Sequence, residues 1–258
     1  MVSARSLTLT ALPGIPLIRL GDDLTALIMA GLARAGLSLE SGDVLILAQK
    51  IVSKSEGRLV NLDRVQASNK AVELAALCGK DPRFVEVVLG ESREVLRALP
   101  GLLVVEHRLG FVCANAGVDR SNVGPQAEAG EWVLLLPLDP DASCRALREK
   151  LRSAIGADVG VLINDSHGRA WRNGTQGVAI GVAGLPALVD LRGRPDLFDC
   201  ELQITQVAAA DELAAAASLL MGQADESLPA IHARGFPYPQ RESSLSELLR
   251  PKDIDAFR

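Results

Sequence analysis

Cys144-Arg145-Ala146-Leu147-Arg148-Glu149-Lys150-Leu151-Arg152-Ser153-Ala154-Ile155, followed past Gly156-Ala157-Asp158 by Val159-Gly160-Val161-Leu162-Ile163 and Asn164-Asp165-Ser166-His167-Gly168-Arg169, decides the fold. Cys144, Leu147, Leu151 and Ile155 recur at three- and four-residue spacing, which lines one face of a helix, and Asp141 is its expected N-cap. Val159 to Ile163 then reads as a strand, and Trp132 to Leu136 upstream as another, so the helix lies between two strands. In such sheets ligand-binding groups gather at strand ends, and Asp165 is expected in a loop just past its strand.

Outward from this unit the same rules apply. Leu7 to Leu12 predicts a strand closed by Pro13-Gly14, Leu24 to Ala35 a helix stopped by Gly36, and Asp43 to Ala48 a short strand. Helical spacing predicts helices over Asn69 to Leu77 and Phe84 to Leu99, with Asp81-Pro82 opening the second and Pro100-Gly101 ending it. Leu102 to Val105 and Phe111 to Ala114 read as strands around a polar turn at Arg108 to Gly110. Gly174 to Gly184 is glycine-rich and apolar, and Leu202 to Val207 reads as a strand. Asp211 to Met221 is an alanine-rich helix stopped by Gly222, and Pro229 to Ala233 adds a strand. From Pro237 a proline- and serine-rich tail holds one amphipathic piece, Leu245 to Leu249, and no repeat or linker marks an internal boundary.

A chain of 258 residues, 48% hydrophobic with mean hydropathy +0.20, buries a substantial core. A net charge of −5 without a basic stripe argues against nucleic-acid binding. No apolar run reaches the roughly 18 residues that cross a bilayer. Met1 to Arg5 lead directly into the alternating Leu7-Thr8-Leu9-Thr10 rather than a signal peptide, so the expected compartment is the cytoplasm. Cys78, Cys113, Cys144 and Cys200 stand apart, without metal-ligand spacing, and are expected as buried reduced thiols. Trp132 and Trp171 are expected to serve packing.

Two acidic runs carry the chemistry. Asn115-Ala116-Gly117-Val118-Asp119-Arg120-Ser121-Asn122 and Asn164-Asp165-Ser166 each set a carboxylate among short oxygen-bearing residues, a donor set suited to magnesium or manganese rather than zinc. Either aspartate taken alone equally suits an Asx-type turn. Lys50 and Lys54 around Ile51-Val52-Ser53, at a strand end, are positioned to grip phosphates, as well as to be solvated surface lysines, since no G-x-x-x-x-G-K-[ST] loop is present. Arg169, Arg172, Arg192 and Arg194 form a cationic set able to receive carboxylates or phosphates. Of the three histidines, His167 adjoins Asp165 and Ser166, and no G-x-S-x-G elbow points to a serine hydrolase.

Gly14-Ile15-Pro16-Leu17-Ile18 with Gly21-Asp22-Asp23-Leu24, Gly42-Asp43-Val44 leading to Val52-Ser53-Lys54-Ser55-Glu56-Gly57-Arg58, the two aspartate runs, and Leu219-Leu220-Met221-Gly222 occur in this order between Leu7 and Phe236. Together they resemble the gamma-glutamyl ligase family that extends the deazaflavin coenzyme F420. The resemblance implies an α+β fold of two lobes, an intertwined homodimer, and GTP-dependent joining of L-glutamate to the carboxylate of F420-0 through an acyl phosphate, with further gamma-linked extension of the tail. It divides the chain into a ligase unit over residues 1–236 and a tail over 237–258. It implies two divalent ions, Mg2+ or Mn2+, with K+ besides; Asp119 and Asp165 as catalytic metal ligands; and Ser166 and Gln223 as further ligands. Ile15, Pro16, Leu17, Gln49, Lys54, Asn122, Met221, Gly222 and Gln223 would contact GTP. Two departures stand out. Ala48-Gln49 replaces the hydroxyl pair common before the lysine motif, and the neutral Gln223 replaces an acidic ligand, with Asp225 and Glu226 close by as substitutes. On the residues alone, a metal-assisted phosphohydrolase and a non-catalytic nucleotide-binding protein remain open alternatives.

Overall fold

A computed structural model of the chain describes residues 4–123 and 129–255. Met1-Val2-Ser3 and the last three residues of the tail, on which the sequence expectations for the two termini partly rest, lie outside the described residues. In chain order the elements are β1 (Thr8–Ala11), α1 (Leu24–Arg34), β2 (Val44–Ala48), α2 (Gln49–Ser55), β3 (Leu59–Asn61), α3 (Asn69–Cys78), α4 (Pro82–Gly90), β4 (Ser92–Leu99) and β5 (Leu102–His107). Then follow β6 (Val112–Ala114), β7 (Trp132–Leu134), α5 (Pro140–Ile155), β8 (Gly160–Arg169), β9 (Arg172–Ala183), β10 (Val189–Asp190), β11 (Gln206–Val207), α6 (Ala209–Met221) and β12 (Ala230–Arg234). The chain is thus a mixed α+β fold.

The main sheet has the order β1-β12-β2-β8-β9, in which only β2 and β8 run parallel. Residues 44–47 are apolar without alternation because helices cover both faces of the sheet. Leu45, Leu47, Val161 and Ile163 pack on the side of α1, α2 and α5. Val44, Ile46 and Leu162 face Ala210, Leu213, Ala214 and Ala217 of α6. The alanines let α6 approach closely, and glycine is required where it does: a Cβ on Gly177 would lie 2.5 Å from the Ala214 carbonyl oxygen and 2.5 Å from Asn164 Oδ1. A separate cluster joins α3 and α4 to β5, with Phe84, Val85, Val88, Leu103 and Val105 at its centre, beside the three-stranded sheet β4-β5-β6.

Several expectations change. Phe84 to Leu99 is not one helix: α4 ends at Gly90, and residues 92–99 pair antiparallel with β5 around Pro100-Gly101. Val95, Leu96, Ala98 and Leu99 satisfy either period, and pairing with β5 satisfies backbone groups that a longer helix would leave unmet on that strand. Asp139, not Asp141, caps α5, accepting the Ala142 N–H at 2.9 Å, because Pro140 suits the first helical position. Asp141 instead accepts the N–H groups of Val182 at 2.8 Å and Leu245 at 3.0 Å, and so fastens the tail to the body. Lys50 and Lys54 lie on the short helix α2 rather than at a bare strand end. Only Gln206 and Val207 of the segment Leu202 to Val207 are paired as strand. Cys78, Cys113 and Cys144 are buried as expected, whereas Cys200 is exposed. Trp171 is 86% exposed at the turn between β8 and β9, so it does not serve packing within the chain. Among the described residues no helix is long and apolar enough to cross a membrane.

Candidate active site

Asp165 lies within β8, not in a loop beyond it: the strand continues to Arg169 because β9 pairs with it along its whole length. The pairing is irregular between Ile163 and Asn164, where Ile180 is the extra residue on β9, and such a bulge re-aims the side chains beside it. Asp165 Oδ2 and His167 Nε2 stand 3.0 Å apart, each side chain 15% exposed. Phe111 packs against the His167 ring at 5.3 Å between centroids, and His107 stacks on Phe111 at 5.1 Å. Burial, and then the Asp165 charge, push the Cys113 thiol up to about 12.

From β6 the chain bends sharply toward Asp119. Asn115, Ala116 and Gly117 all have positive φ, the buried Ala116 among them, and Asn115 Oδ1 accepts the Leu103 N–H at 3.2 Å to hold the bend. Asp119 then forms an isolated bridge with Leu134, its N–H and carbonyl both engaged. The carboxylate faces α2. Lys50 Nζ lies 2.6 Å from Asp119 Oδ2, 2.6 Å from Ser121 Oγ and 3.2 Å from the Ser121 carbonyl oxygen. The Ser121 N–H donates to Asp119 Oδ1 at 2.7 Å. Burial works against ionisation of Asp119, but the Lys50 ammonium and the Ser121 N–H outweigh it and hold the carboxyl below the usual range.

One helical turn on, Lys54 Nζ donates to the Asn122 carbonyl at 2.6 Å. Burial, then repulsion from Lys50, lowers its pKa. Gln49, on the interior face of α2, is 2% exposed, and its Oε1 accepts from Ser53 Oγ at 2.9 Å. Asn122 Nδ2 reaches across to the Ala224 carbonyl at 3.2 Å, and Ser166 Oγ meets Gln223 Oε1 at 2.9 Å. Met221 Sδ is 3.4 Å from Asn164 Nδ2, whose partner oxygen Asn164 Oδ1 is buried without a hydrogen bond. Glu226 folds back to accept the Ala224 N–H at 2.8 Å. Ile15 is anchored in the core, while Pro16 and Leu17 are exposed, and the segment is tied to the end of α2 through the Gly21 N–H and the Ser55 carbonyl at 2.9 Å.

The Asp119 segment therefore meets α2, and both it, through Asn122, and β8, through Ser166, reach the loop that follows α6 at one rim of the sheet. Ala48, two residues before Lys50, is in register with Asn164, one residue before Asp165. Among the described residues Arg169 binds Gln176 and the Asn173 carbonyl within its own hairpin, and Arg192 pairs with Asp190, rather than reaching this rim. Among the described residues no three His, Cys, Asp or Glu side chains cluster as a ready metal site.

A second polar cluster was not legible in sequence. Glu91, following α4, binds Arg58 at 2.9 Å and Arg108 at 2.8 Å. Those arginines hold the carbonyls of Leu136 and Leu138 at 2.9 and 2.6 Å. Burial opposes ionisation of Glu91, yet His107, Arg108 and Arg58 hold its pKa at about 2.

Residues 14–235 match the family described as F420-0:Gamma-glutamyl ligase. The chain belongs to this family. It is 49% identical over 248 residues to the coenzyme F420:L-glutamate ligase of Methanopyrus kandleri, covering 93% of each chain. The protein of that name in Methanothermobacter thermautotrophicus is 44% identical over 254 residues, covering 98% of this chain and 99% of its own, and that of Archaeoglobus fulgidus 44% over 245 residues, covering 95% and 94%. Every segment at the rim falls inside the matched span of this F420 gamma-glutamyl ligase chain.

Proposed function

We propose that this chain is a GTP-dependent acid–amino-acid ligase that joins L-glutamate to the carboxylate of coenzyme F420-0, and then extends the gamma-linked tail, releasing GDP and phosphate. Near-complete coverage of the F420:L-glutamate ligases it resembles supports the substrates. The single observation that carries the mechanism is the oxygen cradle of Asp119 and Ser121, which already holds a cation, the Lys50 ammonium. Hard oxygen donors of this kind fit Mg2+ or Mn2+, and Asp119, Asp165, Ser166 and Gln223 would hold two such ions, with K+ as a further cofactor. Bound there, the metals would supply charge neutralisation to the nucleotide phosphates.

The chain's own groups do the rest. A carboxylate resists an amine because it is anionic and lacks a leaving group. Transfer of the γ-phosphoryl group from GTP makes an acyl phosphate that the glutamate nitrogen attacks, expelling phosphate. Such transfer depends on positioning and charge rather than on a protein nucleophile. Lys54 and Asn122 flank the phosphates, Pro16 and Leu17 offer an exposed apolar ledge anchored by the buried Ile15, and Gly222 and Gln223, following the buried Met221, complete the nucleotide contacts, whereas the Gln49 side chain expected among them is turned into the interior and held by Ser53. Asp119 and Asp165 are the catalytic pair.

The separate hydrophobic cluster around α3 and α4 supports a reading as two lobes. Residues 1–236 form the ligase unit and 237–258 its tail. A homodimer accounts for Trp171, Leu197, Phe198 and Ile204, each more than 80% exposed. The cytoplasm is the expected compartment. The deciding experiment is mass spectrometry of purified protein with F420-0, GTP, glutamate and Mn2+, scored for each added glutamyl mass. GTP consumption independent of F420-0 and glutamate would instead indicate a phosphohydrolase, and GTP binding without amide product a non-catalytic nucleotide-binding protein.

A further inference from the structure

The Lys50 ammonium is surrounded as a metal ion would be: a carboxylate oxygen, a hydroxyl and a carbonyl oxygen, at 2.6, 2.6 and 3.2 Å. Its side chain is 27% exposed, and its unbranched stem lets the charge swing. Lys54 lies beside it on the same face of α2, so two ammonium groups face the segment Asp119 to Asn122, Lys50 against the Asp119 carboxylate and Lys54 against the Asn122 carbonyl. Once a divalent ion takes the Asp119 carboxylate, the Lys50 ammonium has an anionic partner to gain from a phosphate.

We propose that Lys50 is a further catalytic residue, a tethered cation that occupies the Asp119–Ser121 cradle until a divalent ion enters, and whose displaced ammonium then contacts the nucleotide phosphates. The inference rests on the metal reading of Asp119. In the transfer the bond from the γ-phosphorus to the β-γ bridging oxygen breaks and a bond to the acceptor carboxylate forms. No proton moves, and Lys50 stays charged throughout, stabilising phosphate oxygens that gain charge.

The role predicts opposite signs for two measurements on one variant. Mn2+ alone, titrated into the full chain and followed by the electron paramagnetic resonance of the free ion, should bind Lys50→Met roughly three- to tenfold more tightly than the unmodified protein, because the competing charge is gone. Turnover of the same variant should fall on the order of 100-fold at saturating GTP. Lys50→Arg, which keeps the charge, should retain ordinary Mn2+ affinity, and serves as the second test if Lys50→Met folds poorly. A lysine needed only for structure would weaken Mn2+ binding when removed. Loss of binding in Asp119→Asn without tightening in Lys50→Met, or tighter binding with undiminished turnover, overturns the inference alone. Mn2+ affinity indifferent to Asp119→Asn removes the metal reading and the inference with it.

Discussion

Replacing Glu91 by Gln keeps the shape of the clamp behind the Asp119 segment and removes its charge. The carboxylate is 12% exposed and binds Arg58 and Arg108, which in turn hold the backbone at Leu136 and Leu138. A carboxyl held at about 2 rather than its ordinary 4.5 corresponds to roughly 3 kcal/mol of native-state stabilisation at neutral pH. Losing one partner of a largely buried ionic group costs about the same, ~3 to 5 kcal/mol. Because the folded-state pKa is depressed, the contribution is complete above about 4.5 and fades as pH falls from there toward 2. Urea denaturation should therefore put the midpoint of Glu91→Gln about 1 M lower at pH 7, for a slope of ~3 kcal/mol per molar, and the gap should shrink progressively in acid. A gap below ~1 kcal/mol at pH 7, or one equally large at pH 7 and pH 3, would refute the assignment of the clamp's strength to the ionised carboxylate.

Other expectations follow from single contacts. Asp165→Asn should abolish ligation with little change in thermal stability, since its side chain meets His167 at the rim rather than the core; near-normal product by mass spectrometry would reject its role. Gln223→Glu should tighten binding of a second Mn2+ by roughly tenfold, read by titration, because it adds a charge beside Ser166. Gly177→Ala forces a methyl group against the Ala214 carbonyl and Asn164, both 2.5 Å from the new atom, and should lower stability by about 1 to 3 kcal/mol in a denaturant melt.

The elements that the amino-acid order determined by itself are those with one strong local period. The face Cys144, Leu147, Leu151 and Ile155 and the Gly36 and Gly222 stops point to helices, the short β-branched and apolar run at Val44 to Ala48 points to a buried strand, and each is found. Both acidic runs and the lysine pair were visible for the same reason, as local concentrations of oxygen or charge. The region Ser92 to Leu99 was not legible, because its apolar residues fit a helix or a strand and only the neighbouring β5 chooses between them. Nor was the continuation of β8 through Asp165, which depends on β9 arriving to pair with it. Tertiary structure alone decided that Lys50 meets Asp119 across 69 positions of chain and that Glu91 ties Arg58 to Arg108. Side-chain spacing encodes which face of an element is buried, but which charged groups confront one another depends on how whole elements pack, and no local period carries that information.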